Sequence, residues 1–138
     1  VIVGFPGETA EDFEESFDFI QSLDISYLHV FTYSERANTP AAEMEGVVPV
    51  GERRARNKRL SILSTKKRRA FYEKHIGETR PVLLEKHKET NLMSGFTDNY
   101  IRILSPLVPE LLNTIQEVTL HELESDGIVR VEFENTSV

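Results

Sequence analysis

The chain has 138 residues, a formal net charge of −7, 39% hydrophobic and 28% charged residues, and no cysteine. This composition fits one globular domain or two small ones and argues against disorder throughout. It excludes disulfides, thiolate metal sites and cysteine nucleophiles, and no apolar run approaches the ~20 residues of a membrane span or resembles a signal peptide, so the cytoplasm is the expected location.

Val1-Ile2-Val3 is a short apolar run that stops at Gly4-Phe5-Pro6-Gly7-Glu8. Thr9 with Asp12 three residues on predicts a capping-box start for a helix. Phe13, Phe17, Ile20 and, less regularly, Leu23 mark its buried face, while Glu11, Asp12, Glu14, Glu15 and Asp18 read as its solvated side. Asp24 is the expected end. Tyr27 to Tyr33 (YLHVFTY) reads as a strand buried on both faces, which makes the opening a βαβ unit. Two parallel strands and one helix leave a sheet face and two edges uncovered, so the expectation is the tail of a larger protein whose other strands are missing.

A right-handed crossover sets the loops Gly4–Glu8 and Ser34–Thr39 side by side on one rim, where parallel α/β sheets bind ligands. Gly4 and Gly7 permit close backbone approach, Pro6 stiffens the turn, and the helix start at Thr9 offers free N–H groups. Arg36 can reach a carboxylate or phosphate there. Plain turn chemistry explains the glycines equally well, and Arg36 has Glu35 and Glu43 as ordinary partners.

Residues 38–48 read as an irregular linker. From about Pro49 to Ile76 a helix roughly 40 Å long is predicted at 1.5 Å per residue, closed by Gly77. Between Glu52 and His75 it holds ten basic residues against two acids, Glu52 and Glu73, a net +8; the remaining six basic and 21 acidic residues give −15. Leu60, Leu63, Ala70 and Phe71 form a thin apolar stripe. Such clustered charge suits a polyanion, and it equally suits a solvated connector whose Lys and Arg stems cover apolar surface.

Beyond Gly77 short strands are predicted at Pro81–Glu85, Asp98–Leu104, Ile115–Leu123 and Ile128–Glu134, with Ser125-Asp126-Gly127 as a hairpin turn. Four or five strands in about 60 residues suggest a small closed barrel of the oligonucleotide-binding type. Ile101 and Ile103 point inward on this reading, which sends Tyr100 and Arg102 outward as a stacking plate beside a charge, suited to single-stranded RNA. Packing of Tyr100 on the long helix and a local acid for Arg102 is the plainer account. Phe96, in a Gly-Phe-Thr turn, has the same two readings, and Lys86, His87 and Lys88 either extend a phosphate track or form a solvated loop. His29, His75, His87 and His121 show no pair at ligand spacing, so no metal site is expected.

In order, IVGFPGET (2–9), HVFTYSERANTPAA (29–42), the Arg- and Lys-rich helix and SGFTDNY (94–100) resemble the C-terminal half of radical-SAM methylthiotransferases. The resemblance spans almost the whole chain. It implies an α/β piece at 1–48, the last βαβ of an incomplete radical-SAM barrel; a basic connector helix at 49–77; and a TRAM domain, a small RNA-binding β-barrel, at 78–138. In that family the loop after the first strand helps cradle S-adenosylmethionine, and the strand matching His29–Tyr33 packs near its adenine. Gly4, Phe5, Pro6, Gly7, Glu8 and Tyr33 are thereby implied as cofactor-proximal, with Ser34 and Arg36 as neighbours. The tRNA contacts expected are Arg53, Arg54, Arg56, Lys58, Arg59, Lys66, Lys67, Arg68 and Arg69 on the helix, and Lys86, Lys88, Tyr100 and Arg102 in the barrel.

The family also uses two 4Fe–4S clusters held by thiolates, and a chain without Cys can hold neither, so it is expected to be inactive alone, with no catalytic residue of its own. Asn38 stands where the family usually has Gly, a position Asn tolerates at positive φ. Family substrates divide into threonylcarbamoyl-modified adenosine beside the tRNA anticodon, isopentenyl-modified adenosine at the same place, and a ribosomal-protein aspartate; the wording HVFTYSERANTPA looks most like the first. A non-enzymatic RNA-binding module and a purely structural half are the competing expectations.

Overall fold

The computed structural model describes residues 1–134 and divides into two compact units, one of Val1–Arg68 and one starting at Arg69. The last four residues of the expected barrel, 135–138, lie outside the described residues.

In the first unit β1 (Ile2–Val3) and β2 (Phe31–Thr32) pair in parallel, with α1 (Ala10–Ser22) between them in sequence. Thr9 caps α1 as its sequence predicts: its side chain accepts from the Asp12 N–H, and the Asp12 carboxylate accepts from the Thr9 N–H. The helix ends at Ser22, two residues before Asp24. Phe13 and Ile20 are buried with Val3, Leu60 and Leu63, and Phe17, Leu28 and Val30 pack against them. Leu23 is 37% exposed and lies outside this buried cluster.

The expected strand Tyr27–Tyr33, buried on both faces, is corrected. Only Phe31 and Thr32 form ladder pairs, and Phe31 is 61% exposed. The backbone of Leu28 is satisfied from a helix instead: its N–H donates to Ser64 Oγ at 3.0 Å, and the Ser64 hydroxyl donates back to the Leu28 carbonyl at 2.9 Å. Leu28 and Val30 face the core while His29 and Phe31 do not, so the segment has one apolar side rather than two.

The long helix α2 (Val50–His75) forms as its charge pattern and Gly77 predict, with Gly77 in the left-handed region at φ 93°. The boundary between the two units falls inside it.

The second unit is a curled six-stranded sheet of β3 (Thr79–Leu83), β4 (Glu85–Lys86), β5 (Leu92–Phe96), β6 (Arg102–Pro106), β7 (Ile115–Leu123) and β8 (Val129–Phe133). The order across it is β3-β7-β8-β6-β5-β4, antiparallel except for the parallel pair β6–β8. A bridge between Val82 and Thr97 brings β3 back to the end of β5 and curls the sheet toward closure. Inside lie Tyr72, Val82, Leu84, Met93, Ile101, Ile103, Val118, Leu120 and Val129. Burial of each aliphatic side chain contributes about 1.5–3 kcal/mol.

Three strand expectations shift. Pro81–Glu85 breaks at Leu84, whose N–H and C=O bond to the Thr114 carbonyl and the Asn113 N–H. Asp98–Leu104 moves to Arg102–Pro106, because residues 97–101 form a turn closed by Thr97, with Tyr100 at φ 67°. Phe96 ends a strand, β5, that the Ser-Gly content of LMSGF disguises as a turn. Gly95 is required there: a Cβ would lie 2.2 Å from the Leu83 carbonyl oxygen. The final hairpin stands as read, with Val129 buried and Arg130 and Glu132 outside.

Candidate functional site

On the rim of the first unit, the loop after β1 and the segment after β2 are held by the start of α2. The Arg53 Nε donates to the Val48 carbonyl at 2.7 Å, Nη1 to the Tyr33 carbonyl at 3.2 Å and to Glu35 Oε2 at 3.1 Å, and Nη2 to Glu35 Oε1 at 2.5 Å. Its guanidinium also lies 5.4 Å from the Tyr33 ring centroid, and Phe5 meets that ring edge-on at 5.4 Å. Hydrogen bonding from Arg53 holds the Glu35 carboxyl below its ordinary value, and the same bond raises the Arg53 value.

Arg56 does the corresponding work at Glu8. Its Nη1 donates to Glu8 Oε1 at 2.7 Å and to the Glu8 carbonyl at 3.0 Å, and the same Oε1 accepts from the Gly4 N–H at 2.9 Å. Gly7 N–H is taken by the Gly46 carbonyl and Glu8 N–H by the Phe5 carbonyl. Most N–H groups of this loop are therefore spent internally, which weakens the case for anion binding there. Gly4 must remain glycine for two reasons: its φ is 82°, and a Cβ would fall 2.5 Å from Arg53 Cγ. The Cβ direction of Gly7 is open.

A cleft of about 460 Å³ opens beside this rim, lined by Ile2, Phe31, Tyr33, Ser34, Arg36 and Thr39, among others. Tyr33 Oη is buried without a hydrogen-bond partner, and among the described residues Arg36 makes no ion pair, with neither Glu35 nor Glu43. Asn38, at φ 64°, turns the chain away beyond it. An apolar wall and the Arg36 guanidinium, unpaired among the described residues, fit a ligand with an aromatic base and a carboxylate, as S-adenosylmethionine has, while the Tyr33 hydroxyl lies beneath the surface. Among the described residues no three His, Asp or Glu gather as metal ligands, and the chain has no Cys for a cluster.

The expected tRNA contacts separate into two groups. Arg53 and Arg56, 4% and 7% exposed, point inward and are withdrawn from any phosphate-reading face by Glu35 and Glu8. Arg59 pairs with Glu14, 3.2 Å from Nη2 to Oε2, and lies over the Phe13 and Phe17 rings. Its hydrogen bond lowers the Glu14 value. Lys67 Nζ donates to the carbonyls of Gln21 and Leu23, capping the end of α1, and Arg68 lies 4.9 Å from the Tyr27 ring centroid. Arg54, Lys58 and Lys66 are exposed and make no ion pair among the described residues. At 3.6 residues per turn these three share about 120° of the helix circumference.

In the second unit Arg69 Nη1 donates to the Glu124 carbonyl at 3.1 Å, while Lys86 and Lys88 are exposed. Tyr100 is 71% exposed, and Arg102 lies opposite Phe96 on the neighbouring strand. Tyr72, unremarked in the sequence, accepts from the Arg102 N–H at 3.2 Å and stands 3.5 Å from the Tyr100 carbonyl. Packing of Tyr100 on the long helix is thus replaced by a bond from Tyr72 to its backbone, with the ring left in solvent.

No family model matches the chain. It is 38% identical over 124 residues to a threonylcarbamoyladenosine tRNA methylthiotransferase of Bacillus subtilis, covering 87% of this chain and 28% of that protein. To a tRNA-2-methylthio-N(6)-dimethylallyladenosine synthase of Desulfitobacterium hafniense it is 33% identical over 127 residues, 91% of this chain and 28% of the other. A ribosomal-protein methylthiotransferase of Chlamydia pneumoniae is 44% identical over 94 residues, 67% of this chain and 20% of its own. The chain thus spans less than a third of the length of each.

Proposed function

The chain belongs to the methylthiotransferase family, and on that premise we propose that it is the C-terminal part of a tRNA-modifying radical-SAM enzyme. On this reading residues 1–48 close one side of the S-adenosylmethionine site, 49–77 form the basic connector, and 78–138 are a TRAM-type RNA-binding barrel. The cofactor, with two 4Fe–4S clusters on cysteines outside this chain, supplies the radical and methyl-transfer chemistry. The residues here hold and orient. Tyr33, Ser34 and Arg36 line the cofactor cleft, and Arg54, Lys58 and Lys66 meet tRNA phosphates.

The observation that carries the RNA reading is the sorting of charge on α2: the buried Arg53 and Arg56 and the exposed Arg59 are neutralised by acids, while among the described residues Arg54, Lys58 and Lys66 are not. In a chain of net −7, three unpaired cations on one face suit a polyanion rather than a protein edge. The substrate proposed is threonylcarbamoyl-modified adenosine beside the anticodon, in line with the Bacillus subtilis relative. The 44% match to a ribosomal-protein methylthiotransferase favours a second reading, in which a protein side chain is modified.

The test is tRNA binding titrated across salt, with a modified tRNA pool against an unmodified transcript. A steep negative slope of log affinity against log salt, with preference for the modified pool, is the expected result. Absence of binding at low salt removes the RNA reading and leaves the ribosomal-protein one. Equal binding with no effect of this chain on nucleoside chemistry supports a plain RNA-binding module.

A further inference from the structure

We infer that Arg53 and Arg56 are positioning residues for the ligand cleft, so that the first two turns of α2 set the shape of the rim. This rests on the reading of that rim as a cofactor site. One guanidinium, Arg53, joins two separate pieces of chain: the linker at Val48, and the segment just after β2 at Tyr33 and Glu35. Its stem occupies the space over Gly4 that a side chain there would need. Arg56 holds the loop directly at the Glu8 carbonyl, and reaches Gly4 through the Glu8 carboxylate oxygen that accepts the Gly4 N–H. Tyr33 is thereby fixed at its carbonyl by Arg53, at its N–H by the Val3 carbonyl, and at its ring by Phe5.

A lysine cannot substitute. Its single ammonium lacks the planar fork needed to bridge Val48, Tyr33 and both Glu35 oxygens at once. Charge would survive an Arg53→Lys change while geometry would not, which distinguishes positioning from simple ion pairing. Glu35, half-exposed at 51%, is the partner whose loss leaves the buried packing of Arg53 in place. Glu35→Gln is therefore the gentler variant.

The experiment uses the full-length protein that carries this chain, with Arg53→Lys, Glu35→Gln and, as a control, Glu15→Gln on the solvated side of α1. Equilibrium dialysis measures S-adenosylmethionine affinity, and native-state amide exchange measures protection at Gly4, Glu8 and Tyr33. Arg53→Lys and Glu35→Gln are expected to weaken S-adenosylmethionine binding about tenfold, as loss of pre-organised geometry does. They are also expected to speed exchange at those three amides and to leave tRNA affinity unchanged; Glu15→Gln changes none of these. Wild-type protein that binds no S-adenosylmethionine removes the cofactor reading and the inference with it. Wild-type binding with equal binding by both variants, or variants with unaltered exchange at the three amides, overturns the positioning role alone.

Discussion

Arg56 grips Glu8 twice, its Nη1 lying 2.7 Å from the carboxylate and 3.0 Å from the backbone carbonyl of the same residue. Both side chains are largely removed from water. Loss of one partner strands the other, so Arg56→Ala should destabilise the first unit by about 2–3 kcal/mol. Glu8→Gln keeps an acceptor for the Gly4 N–H and should cost about 1 kcal/mol. Urea unfolding of each variant checks this; equal costs would mean that charge, not the bond to Gly4, dominates.

The outward cations should behave in the opposite way. Replacing Arg54, Lys58 and Lys66 together by Ala should leave stability within about 0.5 kcal/mol, as exposed substitutions do. The same triple change should weaken tRNA binding across sequences and shallow the salt slope by about 3. An unchanged slope would show that phosphates are met elsewhere.

Acid should act on the second unit through Glu78. Hydrogen bonding from His75 and, after it, from Arg80 holds the Glu78 carboxyl below its ordinary 4.5. A depressed carboxylate adds stability that is complete above that ordinary value and is lost as pH falls through the lower folded value. The gap in thermal midpoint between wild type and Glu78→Gln should therefore shrink as pH falls below 4.5. A gap that persists at the acid end would assign it to packing instead.

Tyr72→Phe removes the acceptor of the Arg102 N–H while keeping the ring in the core. An unpaired N–H in that part-buried place costs about 1–2 kcal/mol. The turn carrying Tyr100 should loosen with it, read as faster amide exchange at Tyr100. Retention of full stability would mean that water replaces the hydroxyl.

Much of the fold was legible at the level of segments. The capping box at Thr9, the turn at Gly77 and the last hairpin follow from residue types whose backbone needs are narrow. The fate of the arginines was not read, although the spacing held it: Arg53 and Arg56 precede Leu60 and Leu63 at helical intervals and share their inward face. Net charge concealed the split, because composition counts a clamped guanidinium and a free one alike. Ser64 and Tyr72 went unnoticed for a related reason. A hydroxyl announces no partner in sequence, and the backbones they bind, Leu28 and Arg102, lie 36 and 30 residues away.

The pairing of β3 with β7 has a consequence for the chain in time. Thr79 stands opposite Thr119, forty residues later in synthesis, and Gly95 and Thr97 offer β3 only a brief contact before then. A strand whose ladder partner emerges so late stays an open edge while β4, β5 and β6 form around it, and the loop-closure entropy of joining them falls in one late step. The ladder of β3 is thus completed only by the last third of the unit, and a destabilising change in β7 should leave the nascent chain exposed to self-association at β3 long after most of its residues have been made.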